Sequence, residues 1–352
     1  MQPLHAKPTR FATIKDIAQS LGLSVATVSR ALRGLPEVRP ETRQRVMELA
    51  RSLNYRPNQA ASNLATQHSH LIGVVVPQLT NHFFANILSA IQTLASQAEY
   101  RVVICECGHT RQRERLDVEA LLSLRIDGLI AIPIDEGDPL DAYGLVHRQG
   151  IPLVFIDRKV DTLDVPTVLV DDFVAARNAT QHLIEAGARH IAHITTRDPI
   201  LPCHKRRAGY RSALEAAGIP FRPELIGWGE FTVEAGRQTM TDLLAVEPRI
   251  DAVFGIDDRV AAGAVLAIKA SGRRVPGDVR VIGFSDNPIG HVMDPPLSTV
   301  DQPGLEMGRI AAQLLLDQIE GQEVGGIHML PTRLIVRPSS AGVPTQPVAP
   351  VS

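Results

Sequence analysis

Apolar positions along this chain follow two regimes. Between Thr13 and Leu53 they recur three and four residues apart, the spacing of one helix face, and from Leu71 they gather in short near-continuous runs separated by amphipathic stretches. The first regime opens with TIKDIAQSLGLSVATVSRAL, residues 13–32. Thr13 is placed to cap a helix whose first turn carries Asp16, and Ile17, Ala18 and Leu21 share one face of it. Gly22 permits the left-handed backbone that ends a helix, and Ser24 caps a second helix running from Val25 to about Arg33. Two short helices meeting at a tight turn make a helix-turn-helix. In that geometry the second helix enters the DNA major groove, so Val25, Ala26 and Thr27 at its start face base edges, and Arg30 and Arg33 lie one and two turns further along.

A third helix is expected from Pro40, with Glu41 and Arg45 four apart and Val46, Leu49, Ala50 and Leu53 on the core-facing stripe. Asn54 suits its C-terminal cap, and Tyr55-Arg56-Pro57 ends it. Asn58 then caps a short alanine-rich segment, Gln59 to Thr66, that carries one exposed large apolar residue, Leu64; so short a helix is marginal in water by itself. In the second regime, LIGVVVP (71–77), RVVICE (101–106), GLIAIP (128–133), PLVFID (152–157), TVLVD (167–171), HIAHIT (190–195), AVFGI (252–256) and VRVIGF (279–284) predict strands. Helices are predicted between them near 83–98, 111–123, 138–149, 172–186, 205–217, 232–245 and 258–272. Apolar strands alternating with helices indicate parallel sheets covered on both faces, whose ligands bind at the carboxyl ends of the strands.

Length changes this picture little: 352 residues suit two or three domains. No apolar run approaches a transmembrane helix, and MQPLHAKPTR lacks the apolar segment of a secretory signal. Three cysteines are too few for a disulfide framework, so a reducing cytoplasm is expected. Charge adds more. The net value of -2 hides a division, because residues 1–70 hold ten Lys and Arg against four acids, or +6, while the remainder holds 26 basic and 34 acidic residues, or -8. A basic segment joined to an acidic body is the footprint of a module that meets phosphates, although on charge alone a solvated face fits equally well.

The opening stretch, followed in order by VRPETRQRVMELARSLNYRPNQAASNLA and LIGVVVP, resembles the lac repressor (LacI/GalR) family of bacterial transcriptional regulators, and the resemblance covers roughly residues 13–338. It implies an α/β chain: an N-terminal all-α helix-turn-helix domain plus a bilobed, periplasmic-binding-protein-like core of two parallel α/β subdomains. The implied boundaries are 1–57 for the DNA-binding domain, 58–70 for a hinge helix and linker, and 71–338 for the ligand-binding and dimerisation core. Its first lobe takes 71 to about 167 plus 300–328 and its second about 168–296 plus 331–337, with crossovers near Val170, Leu297 to Thr299, and Leu330. Residues 339–352, ending in a proline-rich stretch without periodic apolar positions, are expected to be a disordered tail.

The same resemblance sets the candidate residues. On the DNA side they are Thr13, Ser24, Val25, Ala26, Thr27, Ser29, Arg30, Arg33, Tyr55 and Asn58, with Ala61 beside the minor groove and Leu64 wedged into it from a hinge helix that orders when two copies pair on DNA. Arg39 stands where the family usually has a small hydroxyl residue, which weakens the third helix's N-cap. On the effector side, Phe83 and Phe84 offer an aromatic wall, Asp157 ends a strand, Arg206 heads the family's Arg-x-x-Gly, and Phe231 sits where an aromatic often faces the ligand. Asp257 stands where asparagine is common and Ser285, next to Asp286, where aspartate is common, so the ligand's hydroxyl orientation or charge differs from the usual pattern. The run His204-Lys205-Arg206-Arg207, with Arg158, suits a sugar acid or phosphorylated sugar, but equally a solvated helix face, which is the preferred reading.

Cys105, Cys107 and His109, and Cys203 with His204, match no structural zinc spacing and are expected to include buried thiols, so no metal or cofactor is assigned. The chain contains no phosphate loop, dinucleotide fingerprint, His-Glu-x-x-His or Gly-x-Ser-x-Gly elbow, and adjacent Asp257 and Asp258 point to different faces, so it is not expected to be an enzyme. The expected protein is a cytoplasmic, sequence-specific DNA-binding repressor of sugar or sugar-acid metabolism genes. It pairs as a homodimer on a palindromic operator, makes no membrane contact, and answers to a sugar or sugar acid between its lobes. The competing class is a sugar-binding protein without a DNA role, which has no use for the basic N-terminal module.

Overall fold

The computed structural model describes residues 12–55, 68–108, 110–134, 142–197 and 200–341. The chain divides after Ser69 into two compact units. In the first, α1 (Ile14–Leu21), α2 (Val25–Leu32) and α3 (Pro40–Ser52) enclose a small core of Ile17, Ala18, Val28, Ala31, Val38, Val46 and Ala50. Thr13 and Asp16 cap α1 reciprocally, the Asp16 amide donating to Thr13 Oγ1 at 3.3 Å and the Thr13 amide to Asp16 Oδ2 at 2.7 Å. Gly22 takes the left-handed conformation, φ 64°, that closes the helix. Arg39 makes no side-chain cap to α3, and the turn before that helix is held instead by Arg43, whose Nη2 donates to the Leu35 carbonyl at 2.7 Å. Leu53 departs from its expected core position. As the C-cap of α3 it is 39 % exposed, and Asn54 beyond it takes φ 47°.

The second unit holds two parallel sheets. One has six strands: β1 (Leu71–Val76), β2 (Arg101–Glu106), β3 (Gly128–Ala131), β4 (Leu153–Ile156), β5 (Thr167–Val170) and β11 (Ile327–Leu330), in the order β11-β5-β4-β3-β1-β2. Helices α4 (His82–Gln97) and α12 (Gly304–Ile319) cover the face carrying Ile72, Val74, Ile130 and Val154. On the opposite face α5 (Arg111–Ser123) and α6 (Tyr143–Arg148) cover Val75, Leu129 and Phe155. The other sheet has the order β7-β6-β8-β9, formed by β6 (Ile191–Thr195), β7 (Ile226–Trp228), β8 (Ala252–Gly255) and β9 (Arg280–Ile282). Helices α7 (Asp172–Glu185) and α8 (Leu201–Ala216) pack on one of its faces, and α9 (Val233–Val246) and α10 (Asp258–Ala270) on the other. The inner strands β1, β3, β4, β5, β6 and β8 alternate their buried residues between two helical layers, which is why they read as continuous apolar runs, whereas β2 and β11 at the edges are largely uncovered. The α9–α10 pair lies so close that a Cβ at Gly263 would sit 2.0 Å from the Val233 carbonyl oxygen.

Beside β9 runs an antiparallel pair, β10 (Thr299–Asp301) with β12 (Arg333–Ile335), and a short α11 (Ile289–Val292) precedes it. β5 belongs wholly to the first sheet, pairing with β4 and β11, so that lobe continues past residue 167 to Val170. β12 joins β10 rather than the second sheet itself, although Leu334 and Val300 pack on the α7–α8 core. Helix α8 begins at Leu201, four residues before its expected start, with Pro202 in its first turn.

The expected tail also needs correction at its start. Ser339 and Ser340 are fully buried. Ser339 Oγ donates to the Val281 carbonyl and accepts the Ser298 amide, both at 2.7 Å, and Ser340 Oγ donates to Ser298 Oγ at 2.6 Å. Hydrogen bonds rather than apolar side chains anchor this segment, so hydrophobic periodicity does not report it. Residues 342–352, the hinge residues Asn58, Ala61 and Leu64, and His109 lie outside the described residues. Among the described residues, no helix is long and apolar enough to cross a membrane.

Candidate functional site

Two sites follow from this frame. In the first unit, Val28 and Ala31 fasten α2 to the core, which turns its other side outward. Ser24, Val25 and Ala26 are exposed at its N-terminus, Val25 to 42 %, and Arg30 and Arg33 are exposed further along. Thr27 and Ser29 are half-buried, and the Thr27 amide donates to Ser24 Oγ at 3.1 Å. Seven residues of the proposed DNA face therefore lie on or beside one short helix. Thr13 is committed to the α1 cap, and Tyr55, half-buried after α3, packs against the three-helix core. Arg30 Nε lies 3.6 Å from Glu37 across exposed surface, a contact too weakly held to keep it from a phosphate.

In the second unit a cleft opens at the carboxyl ends of both sheets, where parallel sheets of this kind bind their ligands. Of the eight effector candidates, seven line it: Phe83, Phe84, Asp157, Arg206, Phe231, Asp257 and Ser285. Phe83 and Phe84 begin α4 as a tilted pair, ring centroids 5.4 Å apart, and also join the first lobe's core, so the wall is rigid. Asp286 does not line the cavity. Its Oδ1 accepts from Arg337 Nη2 at 2.7 Å and lies 3.0 Å from His291 Nε2.

Arg206 is buried on α8. Its Nε donates to Asp172 Oδ1 at 2.8 Å, its Nη1 to the Ile256 carbonyl at 2.9 Å, and its guanidinium carbon lies 3.6 Å from the Phe284 ring centroid. Burial pushes the Asp172 carboxyl up against the opposing pull of Arg206; on Arg206 burial acts downward, and Asp172 together with Cys203 and Asp157 outweighs it. Asp257 caps α10, accepting the Arg259 and Val260 amides at 2.8 and 3.1 Å, and pairs with the Arg259 guanidinium at 3.1 Å. Asp157 takes φ 66° at the end of β4, a left-handed conformation that aspartate tolerates, and lies 3.4 Å from Arg158 Nε. Ser285, at φ 94°, donates its hydroxyl to Gln302 Oε1 at 2.7 Å.

Gln78, Asn81, Arg158, Ile200, Pro202, Cys203, Arg259 and Gln302 complete the lining; of these the sequence had named Arg158, with the basic run, and Cys203, as a thiol, and the other six were not among its candidates. Arg158 follows Asp157 directly, and that adjacency at a strand end was its signal. Gln302 follows β10, and nothing in the periodicity marks so short a crossing strand. Its Oε1 is held by the Ser285 hydroxyl, and its Nε2 is buried without a hydrogen-bond partner. Of the thiols, Cys107 donates to the Val76 carbonyl at 3.3 Å, and burial pushes Cys203 up to about 12, so neither is a nucleophile. His204, Lys205 and Arg207 lie off the cavity wall, with Arg207 over the Trp228 ring at 5.3 Å.

Residues 13–58 match the model of bacterial regulatory proteins of the lacI family, and residues 69–336 match that of periplasmic binding proteins and the sugar-binding domain of the LacI family. The chain belongs to the LacI family. It is 37 % identical over 339 residues to the HTH-type transcriptional repressor CytR of Escherichia coli (strain K12), covering 96 % of this chain and 99 % of the relative. Among solved structures, the lac repressor dimer bound to operator and the anti-inducer ONPF superposes with a TM-score of 0.83 at 29 % identity, covering 94 % of this chain and 99 % of that one. The CelR–cellobiose complex matches with a TM-score of 0.70 at 31 % identity, covering 93 % and 99 %. A LacI-family chain is a DNA-binding transcriptional regulator and not an enzyme, with its helix-turn-helix in α1 and α2 and its effector domain in the two-sheet unit.

Proposed function

We propose that this regulator is a repressor that binds a palindromic operator as a homodimer and whose occupancy of DNA is set by a neutral sugar in the cavity between the two sheets. The observation that carries the ligand class is charge balance. Each guanidinium on the wall has its own carboxylate: Arg206 with Asp172, Arg158 with Asp157 and Arg259 with Asp257. Asp157 and Asp257 line the cavity and Asp172 lies behind Arg206, so among the described lining residues every cation is already paired and an added buried anion would find no matching charge. Phe83, Phe84 and Phe231 supply the flat apolar surface that a sugar ring's C–H face covers. This favours the neutral alternative over the sugar acid. The cellobiose complex of CelR and the operator complex of the lac repressor dimer support the reading by likeness.

Closure of the cleft around such a ligand acts on DNA through differential affinity of the sugar for two arrangements of the lobes. The hinge segment 58–66 is the element we assign to that response, with Leu64 entering the minor groove. Isothermal titration with cellobiose, D-ribose and D-galactose against D-gluconate and D-galacturonate tests the ligand class. Binding of a neutral member is expected; selective binding of the acids would overturn it.

A further inference from the structure

Behind the cavity wall lies a buried chain of contacts that the effector site alone does not explain. Arg158 is 4 % exposed, and its Nη1 donates to the carbonyls of Pro133 and Ile134 at 3.1 and 3.2 Å. Its Nε, although 3.4 Å from Asp157 Oδ2, makes no hydrogen bond and is buried. The other side of the same short segment is held by Glu114, in the first turn of α5, whose Oε1 accepts the Ile134 amide at 3.0 Å and the Tyr143 hydroxyl at 2.7 Å. Ile134 is thus gripped through its amide by Glu114 and through its carbonyl by Arg158. Tyr143 is itself fixed edge-on against Phe155 of β4, ring centroids 5.2 Å apart at 78°. β4 ends next to Asp157, at the cavity.

We propose that Glu114 is a positioning residue of the effector site: acting through the Ile134 peptide, it fixes the place and plane of the Arg158 guanidinium in the cavity wall. A carboxylate in an apolar layer between α5 and α6 carries a desolvation cost that no packing role requires. Burial does push this carboxyl up, with the Tyr143 hydroxyl and the Ile134 amide pulling it back down. What it returns is a fixed backbone acceptor pair at residues 133 and 134, without which Arg158 Nη1 is a buried donor lacking a partner. Glu114 touches no ligand. It acts through Ile134 and Arg158.

The inference rests on the cavity being the effector site, and its test separates the two. The full chain, labelled with 15N-arginine, is examined as wild type, Glu114→Gln, Glu114→Leu and Tyr143→Phe, with Arg158→Lys identifying the Arg158 Nε–H resonance. Hydrogen exchange follows the Ile134 amide, and titration uses cellobiose and D-ribose. Glu114→Gln keeps an acceptor at Oε1 and should leave resonance, exchange and affinity near wild type. Glu114→Leu should move the Arg158 resonance, expose the Ile134 amide and weaken sugar binding about tenfold. Tyr143→Phe, the milder change should Glu114→Leu fail to fold, should shift the Arg158 resonance in the same direction by less. An unmoved Arg158 resonance in the folded Glu114→Leu or Tyr143→Phe chain overturns the proposal, as does equal loss in Glu114→Gln and Glu114→Leu. If wild type binds neither sugar, the neutral-sugar reading fails, and the resonance and exchange data still decide the role of Glu114.

Discussion

Arg206 Nε donates to Asp172 Oδ1 at 2.8 Å, joining α8 to the start of α7 beneath the cavity. With Nη1 on the Ile256 carbonyl and the ring of Phe284 below, the guanidinium plane is set before any ligand arrives. Lysine cannot reproduce this planar, forked arrangement. Arg206→Lys should therefore abolish the effect of sugar on operator binding while leaving operator affinity without sugar close to wild type, as read by gel shift. Asp172→Ala, which leaves Arg206 buried without its carboxylate, should cost about 3 kcal/mol or more in urea unfolding.

The α9–α10 contact makes a sharper stability prediction. A methyl at Gly263 would meet the Val233 carbonyl oxygen at 2.0 Å, and backbone cannot swing aside as a side-chain tip does. Gly263→Ala should destabilise the core by about 3 kcal/mol. At Gly325 an added methyl would find nothing within 4 Å, so alanine should be accepted there within about 0.5 kcal/mol. Denaturant unfolding of the pair checks both.

These positions show what sequence reading reaches. The caps at Thr13 and Ser24, the left-handed Gly22 and the strand cores from Leu71 onward are local or periodic features, and chemistry at one place in the chain announces them. Phe83, Asp157, Arg206 and Asp257 were legible as cavity residues through the family resemblance, Arg206 by its Arg-x-x-Gly, and for Asp157 and Asp257 the ends of parallel strands pointed the same way. The rest depended on distance in sequence. Gln302 reaches the cavity through a three-residue crossing strand, the Asp172 partner of Arg206 is 34 residues away, and β7 is too short to show a period. Asp286 was drawn to the site by its neighbour Ser285, yet at φ 46° it turns to Arg337 instead. Ser339 and Ser340 escaped notice because hydroxyl networks have no hydrophobic pattern.

His193 gives the pH dependence. It lies buried between Tyr210 and Phe254, ring centroids 5.2 and 4.8 Å away, with Nδ1 2.9 Å from the Phe254 carbonyl. Burial lowers its pKa from 6.5 to about 4. A folded state that resists protonation binds fewer protons than the unfolded chain between these values, so its contribution is fully present above pH 6.5 and is lost as pH falls towards 4. From pH 7 to 5 the loss should be about 2 kcal/mol from this residue. His193→Phe should flatten that part of the stability profile, measured by unfolding at each pH.

Leu64 provides the DNA-side prediction. If the hinge segment enters the minor groove, Leu64→Ala removes the wedge without touching α2. Operator affinity should fall and the bend of the bound duplex should decrease in a fluorescence energy-transfer assay. A full bend in the variant would place the kink elsewhere.

One coupling is central, between a cationic helix-turn-helix and an effector cleft in the same chain. Fluorescence anisotropy of labelled duplexes from upstream of its own gene, at low and then rising salt, with and without cellobiose, D-ribose and D-galactose, measures it directly. The expected result is tight binding that weakens steeply with salt and shifts about tenfold or more with one of the sugars. A chain that leaves every duplex free at low salt, whatever sugar is present, would contradict it.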